Sequence, residues 1–390
     1  MISLEAARQV ICSHVSPLPG ESASLADSNA GVLAQAILAD SYYPSGGRST
    51  MDGYVIGGDE QPGKFSIVGE VAAGVTPERS LGKGQAMRIF TGALIPEGGG
   101  RVIMQEDVER AGDEISITCF SDNRFIRAKG SEAQPGQILL PAGTRLGAPE
   151  IAILAQVGVV QPLLIRRPRI RHLATGDELV APSQAPGPGQ IRDTNSSLLA
   201  ALLDEMSIRD LESTRVADDP AVLTSIAEGD WDVLLISGGA SVGDYDFGSE
   251  TLRRLGFKIH FSRVNLRPGK PLTFATRGHQ IAFVIPGNPV SHFVCFHVAI
   301  RLALERLCGL PGAWDFLTLE IAGGAGLKPD SRETFWPSRV SSQNGKLVIA
   351  PKSWSTSGDT FSLAGTNALA RVNADSPADG FIQALLLHPL

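Results

Sequence analysis

Apolar and polar positions change rhythm several times along the chain. In SLEAARQVICSH, Leu4, Ala7, Val10 and Ile11 fall on one face of a helix. DSNAGVLAQAILA repeats that spacing, with Asp27 or Ser28 as N-cap, and predicts a second helix. After YYPSGGRSTMDGY the texture becomes short runs between Gly and Pro turns: YVIG, KFSIVGE, MRIF, RVIMQED and ISITCF. These predict a small all-β insertion, followed beyond PGQILLPAG by a helix in APEIAILAQVG.

From about residue 168 strands and helices alternate. RIRHLAT, DLESTRV, DVLLIS and KIHFSRV read as strands, and SSLLAALLDEM, DPAVLTSIAEG and SETLRRLG as helices. LTFAT, IAFVI and a long amphipathic helix from Val290 to Leu307 follow. Such alternation predicts a mostly parallel sheet covered on both faces. Beyond Leu310 short strands return in FLTLEIAG, KLVIAP, NALARV and FIQALLL, a terminal β domain. No internal repeat appears.

A length of 390 residues suits two or three domains, and 43% hydrophobic with 19% charged residues suits a soluble globular enzyme. A net charge of −7 with no basic stripe speaks against general nucleic-acid binding. No apolar run reaches the ~20 residues of a membrane span. The first residues lack a charged start followed by an apolar core, so a cytoplasmic location is expected. Cys12, Cys119, Cys295 and Cys308 have no C-x-x-C spacing and read as small buried hydrophobes.

Ligands of open parallel sheets bind beyond the strands' carboxyl ends. The loops expected there carry Asp177, Glu178, Asp193, Asp218, Asp219, Asp244 and Asp246, with Arg267 and Lys270 as cations. Glycines let backbone N–H groups approach an anion. Carboxylates repel phosphate, so this density of acids points to a divalent cation between the two. Gly239-x-Ser241-x-Gly243 superficially matches a hydrolase nucleophile elbow, with Asp246, His292 and His297 later in the chain. Yet the residues after Ser241 start a helix poorly, and no HGGG-like oxyanion segment exists. His292 and His297 are five apart and miss the i, i+4 face of helical zinc sites.

Seven motifs in series carry a resemblance. They are Met51-Asp-Gly-Tyr54, Phe90-Thr-Gly-Ala93, Ala174-Thr-Gly-Asp-Glu-Leu179, Gly189-Gln-Ile-x-Asp-Thr-Asn195, Ser237-Gly-Gly-x-Ser-Val-Gly243, Pro268-Gly-Lys-Pro271 and Pro286-Gly-Asn-Pro-Val-Ser291. In order over essentially the whole chain, they resemble the molybdopterin molybdenumtransferase family of molybdenum-cofactor biosynthesis, and the homologous E domain of gephyrin.

The resemblance implies a multidomain α/β fold. It has an N-terminal helical/linker domain (1–43 and 136–166), an inserted β domain (44–135), a three-layer α/β molybdopterin-binding domain (167–310) and a C-terminal β-barrel domain (311–390). It implies insertion of molybdenum from molybdate into adenylylated molybdopterin with release of AMP, aided by Mg2+ or another divalent cation. It also implies a homodimer whose partner's β insertion completes the site. Other molybdenum-cofactor biosynthesis proteins and recipient apo-enzymes are further partners, without nucleic acid or membrane. Matched motif by motif, Asp52, Glu132, Glu178, Asp218 and Asp246 are the implied catalytic residues, and Glu178, Asp218 and Asp246 the implied metal ligands. Implied substrate contacts are Thr91, Thr175, Gly176, Asp193, Thr194, Asn195, Ser237, Gly238, Gly239, Ser241 and Gly243. They continue with Pro268, Gly269, Lys270, Pro271, Gly287, Asn288, Pro289 and Ser291, and with Arg332 and Ser357 in the last domain.

Two positions depart from the family pattern. Gly100 stands where the inserted strand usually carries an Asp, and Glu132 stands where a functional Asp is expected. The extra methylene of Glu132 reaches ~1.5 Å further. A non-catalytic or specialised paralogue, binding the pterin nucleotide or a partner as a scaffold, is the alternative reading. Joint retention of Asp52, Glu178, Asp218 and Asp246 favours the enzyme over it.

Overall fold

The computed structural model describes residues 1–58, 61–239, 247–312, 315–322, 327, 331–373 and 380–387. They form two compact units, one of Met1–Ala23, Ala30–Ala34 and Leu163–Leu390, the other of Ser24–Asn29 and Gln35–Pro162.

Helix α1 (Leu4–His14) starts where Ser3 accepts a hydrogen bond from Ala6 N, and it buries Leu4, Ala7, Arg8 and Ile11. The second predicted helix does not form. Ser24 instead caps a single 3-10 turn (Leu25–Asp27) by accepting from Asp27 N, and Ala30 takes a positive φ of 59°. Leu33 then bridges Leu164, while Ile37–Leu38 pairs with Ile138–Leu140. Strand partners from distant sequence thus claim the apolar residues that helical spacing had grouped.

The smaller unit holds the predicted β insertion. Its strands are β1 (Gly53–Gly57), β2 (Lys64–Val71), β3 (Gln85–Ile89), β4 (Gly99–Met104), β5 (Glu109–Ala111) and β6 (Glu114–Ser116). They pair in the order β4-β1-β3-β2-β6-β5. Tyr54, Ile56, Phe65, Ile103 and Ile115 fill one face, and Val55, Val71, Met87, Ile89 and Val102 the other. Helix α2 (Ala148–Gln156) begins with Glu150 accepting from Gly147 N.

In the larger unit β7 (Ile170–Thr175), α3 (Asn195–Glu205), β8 (Leu211–Val216), α4 (Pro220–Ala227), β9 (Val233–Ser237) and α5 (Phe247–Arg254) alternate as predicted. Then come β10 (Lys258–Phe261), β11 (Thr273–Arg277) and β12 (Gln280–Ile285). The sheet order is β8-β7-β9-β12-β11-β10, with the first four strands parallel and β11 antiparallel to both β12 and β10. Val233, Leu235, Phe283 and Ile285 face α1 and α3, whereas Leu234, Ile236 and Val284 face α4 and α5. This is the expected three-layer arrangement.

The long helix after β12 runs as α6 (Pro289–Cys295), a π-helical stretch (Phe296–Ile300) and α7 (Arg301–Leu307). It is not amphipathic over its first half, because every residue from Val290 to Ile300 is buried. The sheet covers one side and α1 and the last domain the others, so no face is left for solvent. Of the cysteines, Cys295 and Cys308 are buried as expected, but Cys119 is exposed.

The final strands are β13 (Phe316–Ile321), β14 (Glu333–Gln343), β15 (Lys346–Pro351), β16 (Ala368–Val372) and β17 (Phe381–Leu386). The pairing order β14-β15-β13-β17-β16, with β16 returning to β14, closes a five-stranded barrel. β14 escapes prediction from the pattern because Pro337 interrupts its alternation; here Pro337 lies opposite Leu369 within the ladder.

A buried polar chain ties β8, β7, β9 and α6 together. His172 Nδ1 lies 2.8 Å from Ser213 Oγ and its Nε2 2.8 Å from Ser237 Oγ, which is also 2.8 Å from His292 Nε2. One proton arrangement leaves only a bare acceptor, His292 Nδ1, unpaired: His172 Nδ1–H donates to Ser213, Ser237 donates to His172, and His292 Nε2–H donates to Ser237. The reverse order strands a buried N–H, which is costlier. Burial pushes His172 down to about 4, opposed by Asp193, and pushes His292 down to about 3 with help from the His172 charge.

Both rings are therefore neutral in the native state where the unfolded chain takes up protons. Below about pH 6.5 the unfolded state binds more protons, so stability present at neutral pH is lost as pH falls toward 4. Each ring contributes a slope of about 1.4 kcal/mol per pH unit in that window. Guanidinium unfolding of wild type and of a His172→Gln/His292→Gln variant, between about pH 7 and about pH 4.5, will show the shallower fall in the variant. Equal slopes would refute the assignment.

Candidate functional site

A cleft of about 840 Å³ opens at the C-terminal ends of β7, β9 and β12, where a parallel sheet is expected to bind its ligand. Its floor is bare backbone. Gly238 has a φ of +98°, and a β-carbon there would stand 2.5 Å from Thr175 O and 2.6 Å from Thr175 Oγ1. Gly239 (φ +60°) follows, and Gly238 N donates to Ile285 O. Gly248 lets α5 close on the sheet, since a β-carbon there would meet Val284 at 2.4 Å. The loops can lie this low because the sequence has no side chain at the crossing points.

Thr175, Gly176, Glu178, Asp193, Thr194, Asn195, Asp218, Ser237, Gly238, Gly239, Gly287, Asn288 and Pro289 all line this cleft. They are not equally available. Both oxygens of Asp193 accept from Ser196 at the start of α3. Asn195 Nδ2 donates to Gly287 O at 2.6 Å, clamping two loops together. Ser237 is engaged by the two histidines below. Asp219, by contrast, serves as N-cap of α4, accepting from Ala221 N and Val222 N.

Asp218 stands apart. Burial, with the nearby charges of Asp177 and Glu178, holds its carboxyl above the ordinary range; Thr175 offsets this in part. Thr175 Oγ1 faces Asp218, but Asp218 Oδ1 is buried without a hydrogen bond of full geometry. A carboxylate oxygen without a partner beside two more acids is chemically suited to ligate a cation. Among the described residues no three His, Cys, Asp or Glu side chains converge as a complete metal site. Mg2+ is commonly bound through one or two carboxylates plus substrate phosphates, and Glu178 with Asp218 fits that incomplete donor set. Asp244, Asp246, Ser241 and Gly243 lie outside the described residues.

The remaining positions fall elsewhere. Lys270, Ser291 and Arg332 do not line the cleft. Ser291 is buried in α6, and the Pro268–Pro271 loop packs on that helix, with Gly269 (φ +116°) leaving room for Cys295 Sγ. Ser357 accepts from Asn288 Nδ2 at 2.7 Å, and its carbonyl accepts from Val290 N. This seats the barrel's 356–361 segment at the cleft, which Gly358, Thr360 and Phe361 line.

In the smaller unit, Asp52 accepts from both Thr91 N and Thr91 Oγ1 at 2.8 Å. Those bonds, followed weakly by Arg88, hold its carboxyl below the ordinary range. Glu132 pairs with Arg127 at 2.8 Å, both half exposed. Gly100 has no room for the aspartate of the family pattern: a β-carbon would stand 2.1 Å from Gly58 O.

Sequence reading overlooked several lining residues, chiefly Arg192, Ile191 and Phe361. Arg192 is the cation lining the cleft among the described residues, whereas Arg267 and Lys270 were expected. It occupies the variable position of Gly189-Gln-Ile-x-Asp-Thr-Asn195, which motif matching ignores. Phe361 lies in a segment with no motif.

Comparison with known proteins agrees with the fold and the order of the motifs. Three family models match in order: the MoeA N-terminal region (domain I and II) over 2–158, a probable molybdopterin binding domain over 171–306, and the MoeA C-terminal region (domain IV) over 324–379. Molybdopterin molybdenumtransferase from Nostoc sp. is 38% identical over 88% of this chain and 82% of its own. That from Bacillus subtilis is 31% identical over 93% and 88%. The crystal structure of a molybdopterin biosynthesis MoeA protein from Pyrococcus horikoshii superposes with a TM-score of 0.85 at 26% identity, covering 100% of both chains. Fold, motif order and relatives converge: the chain belongs to the molybdopterin molybdenumtransferase family.

Proposed function

We propose that this protein inserts molybdenum from molybdate into adenylylated molybdopterin and releases AMP. The observation that carries the reading is Asp218, a half-buried carboxyl whose Oδ1 is buried without a hydrogen-bond partner, beside Asp177 and Glu178 on a glycine-built floor. An anionic linkage and the molybdate dianion repel each other, so a site that unites them needs positive charge and close backbone donors. Gly238, Gly239 and Gly287 allow the close approach, and Arg192 supplies a protein cation.

Glu178 and Asp218 would hold Mg2+ or another divalent cation, with Asp246 as the third ligand. When bound, such an ion supplies charge neutralisation and Lewis-acid polarisation at the phosphoanhydride. Asn195 and Asn288 brace the loops, so catalysis rests on positioning rather than on a protein nucleophile. His292 is buried and bound to Ser237, and His297 is buried in the π-helical stretch, which speaks against a serine-hydrolase reading. The working unit is a cytoplasmic homodimer in which the partner's Asp52 and Glu132 complete the site. Other cofactor-biosynthesis proteins and recipient apo-enzymes exchange substrate and product with it.

Glu178→Gln and Asp218→Asn will keep pterin nucleotide bound while slowing AMP release by roughly 100-fold or more, the scale of losing one preorganised charge stabiliser. Because the Asp218 carboxyl titrates above the ordinary range, Mg2+ affinity of wild type will rise with pH across that titration. Normal AMP release by either variant, in a chelator-treated single-turnover assay, would remove the carboxylates from the reaction.

Glu132 separates the enzyme from a scaffold. An exposed ion pair such as Arg127–Glu132 contributes about 0–1 kcal/mol, so Glu132→Gln will barely move the melting temperature. A drop of roughly 10- to 100-fold in molybdenum insertion at unchanged stability is expected from the enzyme. Equal insertion rates for wild type and the Glu132→Gln and Glu132→Asp variants would show that the position has no catalytic part.

A further inference from the structure

The barrel places one aromatic ring where folding gains nothing from it. Phe361 is 92% exposed, the highest value of any large hydrophobic residue among those described. Thirteen of the fifteen phenylalanines are at least partly buried, and the other exposed one, Phe381 on the barrel wall, is 45% exposed. Phe361 nevertheless lines the cleft.

Its backbone is held firmly. Residues Thr360–Leu363 form a 3-10 turn closed by Ala364 N donating to Phe361 O and Ser362 N donating to Asp359 O. Asp359 also accepts from Ser355 N and Oγ. The Asn288–Ser357 bond fixes the segment to the start of α6. A rigid turn holding a bare ring at a ligand cleft is a preorganised platform. Across the rest of the lining, Thr175, Arg192 and Asn195 suit the anionic part of a ligand, and Glu178 and Asp218 suit a cation that would accompany it. Ile191, 54% exposed, is the other exposed large apolar residue there.

We propose that Phe361 is a specificity-determining residue that stacks on a flat heterocycle of the nucleotide ligand, purine or pterin, while the polar loops take the anionic linkage. The inference rests on the reading of the cleft as a pterin-nucleotide site. An aromatic face stacks on any planar base, and such contacts are commonly lost on truncation to alanine. The two parts of the lining are complementary: Thr175, Asn195, Arg192 and the bare backbone suit an anionic linkage, and a separate segment presents an exposed π-face.

The test is equilibrium binding of AMP, ribose 5-phosphate and neopterin to wild type, Phe361→Ala, Phe361→Leu and Phe361→Trp. Selective weakening of AMP by about 5- to 100-fold in Phe361→Ala, with ribose 5-phosphate unchanged and Phe361→Trp near wild type, supports stacking on the purine. Selective weakening of neopterin with the same rescue supports stacking on the pterin. Unchanged AMP and neopterin binding in Phe361→Ala overturns the inference alone. Equal weakening of ribose 5-phosphate and AMP also overturns it, because the loop rather than the ring would then be at fault. If wild type binds none of the three probes, the pterin-nucleotide reading fails and this inference with it.

Discussion

The cleft depends on one close contact: Gly238 lying against Thr175 with no space for a β-carbon between them. Any side chain there would lift the loop after β9 away from the sheet, and with it the floor on which a ligand rests. The same contact keeps Thr175 turned toward Asp218, sets the Gly287 loop alongside Gly238, and allows α5 to start low enough for Gly248 to meet Val284. Below the floor, neutral His172 and His292 grip Ser237 from two sides, so the end of β9 cannot part from β7 or α6 independently. Backbone proximity above and a hydrogen-bonded polar chain below make this region stiff, as a site that works by positioning requires.

Much of this was legible in the chain. Strand-helix alternation located the parallel sheet because a strand buried on both faces must be apolar throughout, as Val233–Ile236 is. Glycine-rich loops with acids located the cleft, because few arrangements explain both at strand ends. The failures have physical causes. The segment after Asp27 has helical spacing, but its partners, Leu164 and Ile138–Leu140, lie a hundred or more residues away, and local periodicity carries no information about them. β14 was hidden by Pro337, whose place in a barrel ladder could not be inferred without its neighbour β16. Arg192 and Phe361 were missed because one occupies a motif's free position and the other a loop whose proximity to the cleft is purely tertiary.

The departure at Gly100 shows the opposite case, where structure explains a sequence anomaly. A glycine in place of an acid first reads as a lost functional group. The backbone of Gly58 passes so near that only glycine fits, and the neighbouring Gly98 (φ +82°) packs as tightly on Leu81 O. The glycine run is therefore a local packing solution, in which β4 is drawn against its neighbours around the bulge between Ile56 and Gly57.

The π-helical stretch at Phe296–Ile300, closed by Arg301 N donating to Phe296 O, bears on how the two halves of the long helix are phased. Ahead of it, His292 must point at Ser237; beyond the start of the stretch, Val298 O must meet Arg8 Nη1 of α1 at 2.7 Å. A regular helix advances about 100° per residue, so the wider turn works as a vernier that lets both ends keep their bearings at once. Removing a single residue from this stretch would restore a uniform helix and swing one end round by that angle. The clasp beneath the ligand floor and the docking of the N-terminal helix would then become mutually exclusive, although no residue of either had changed.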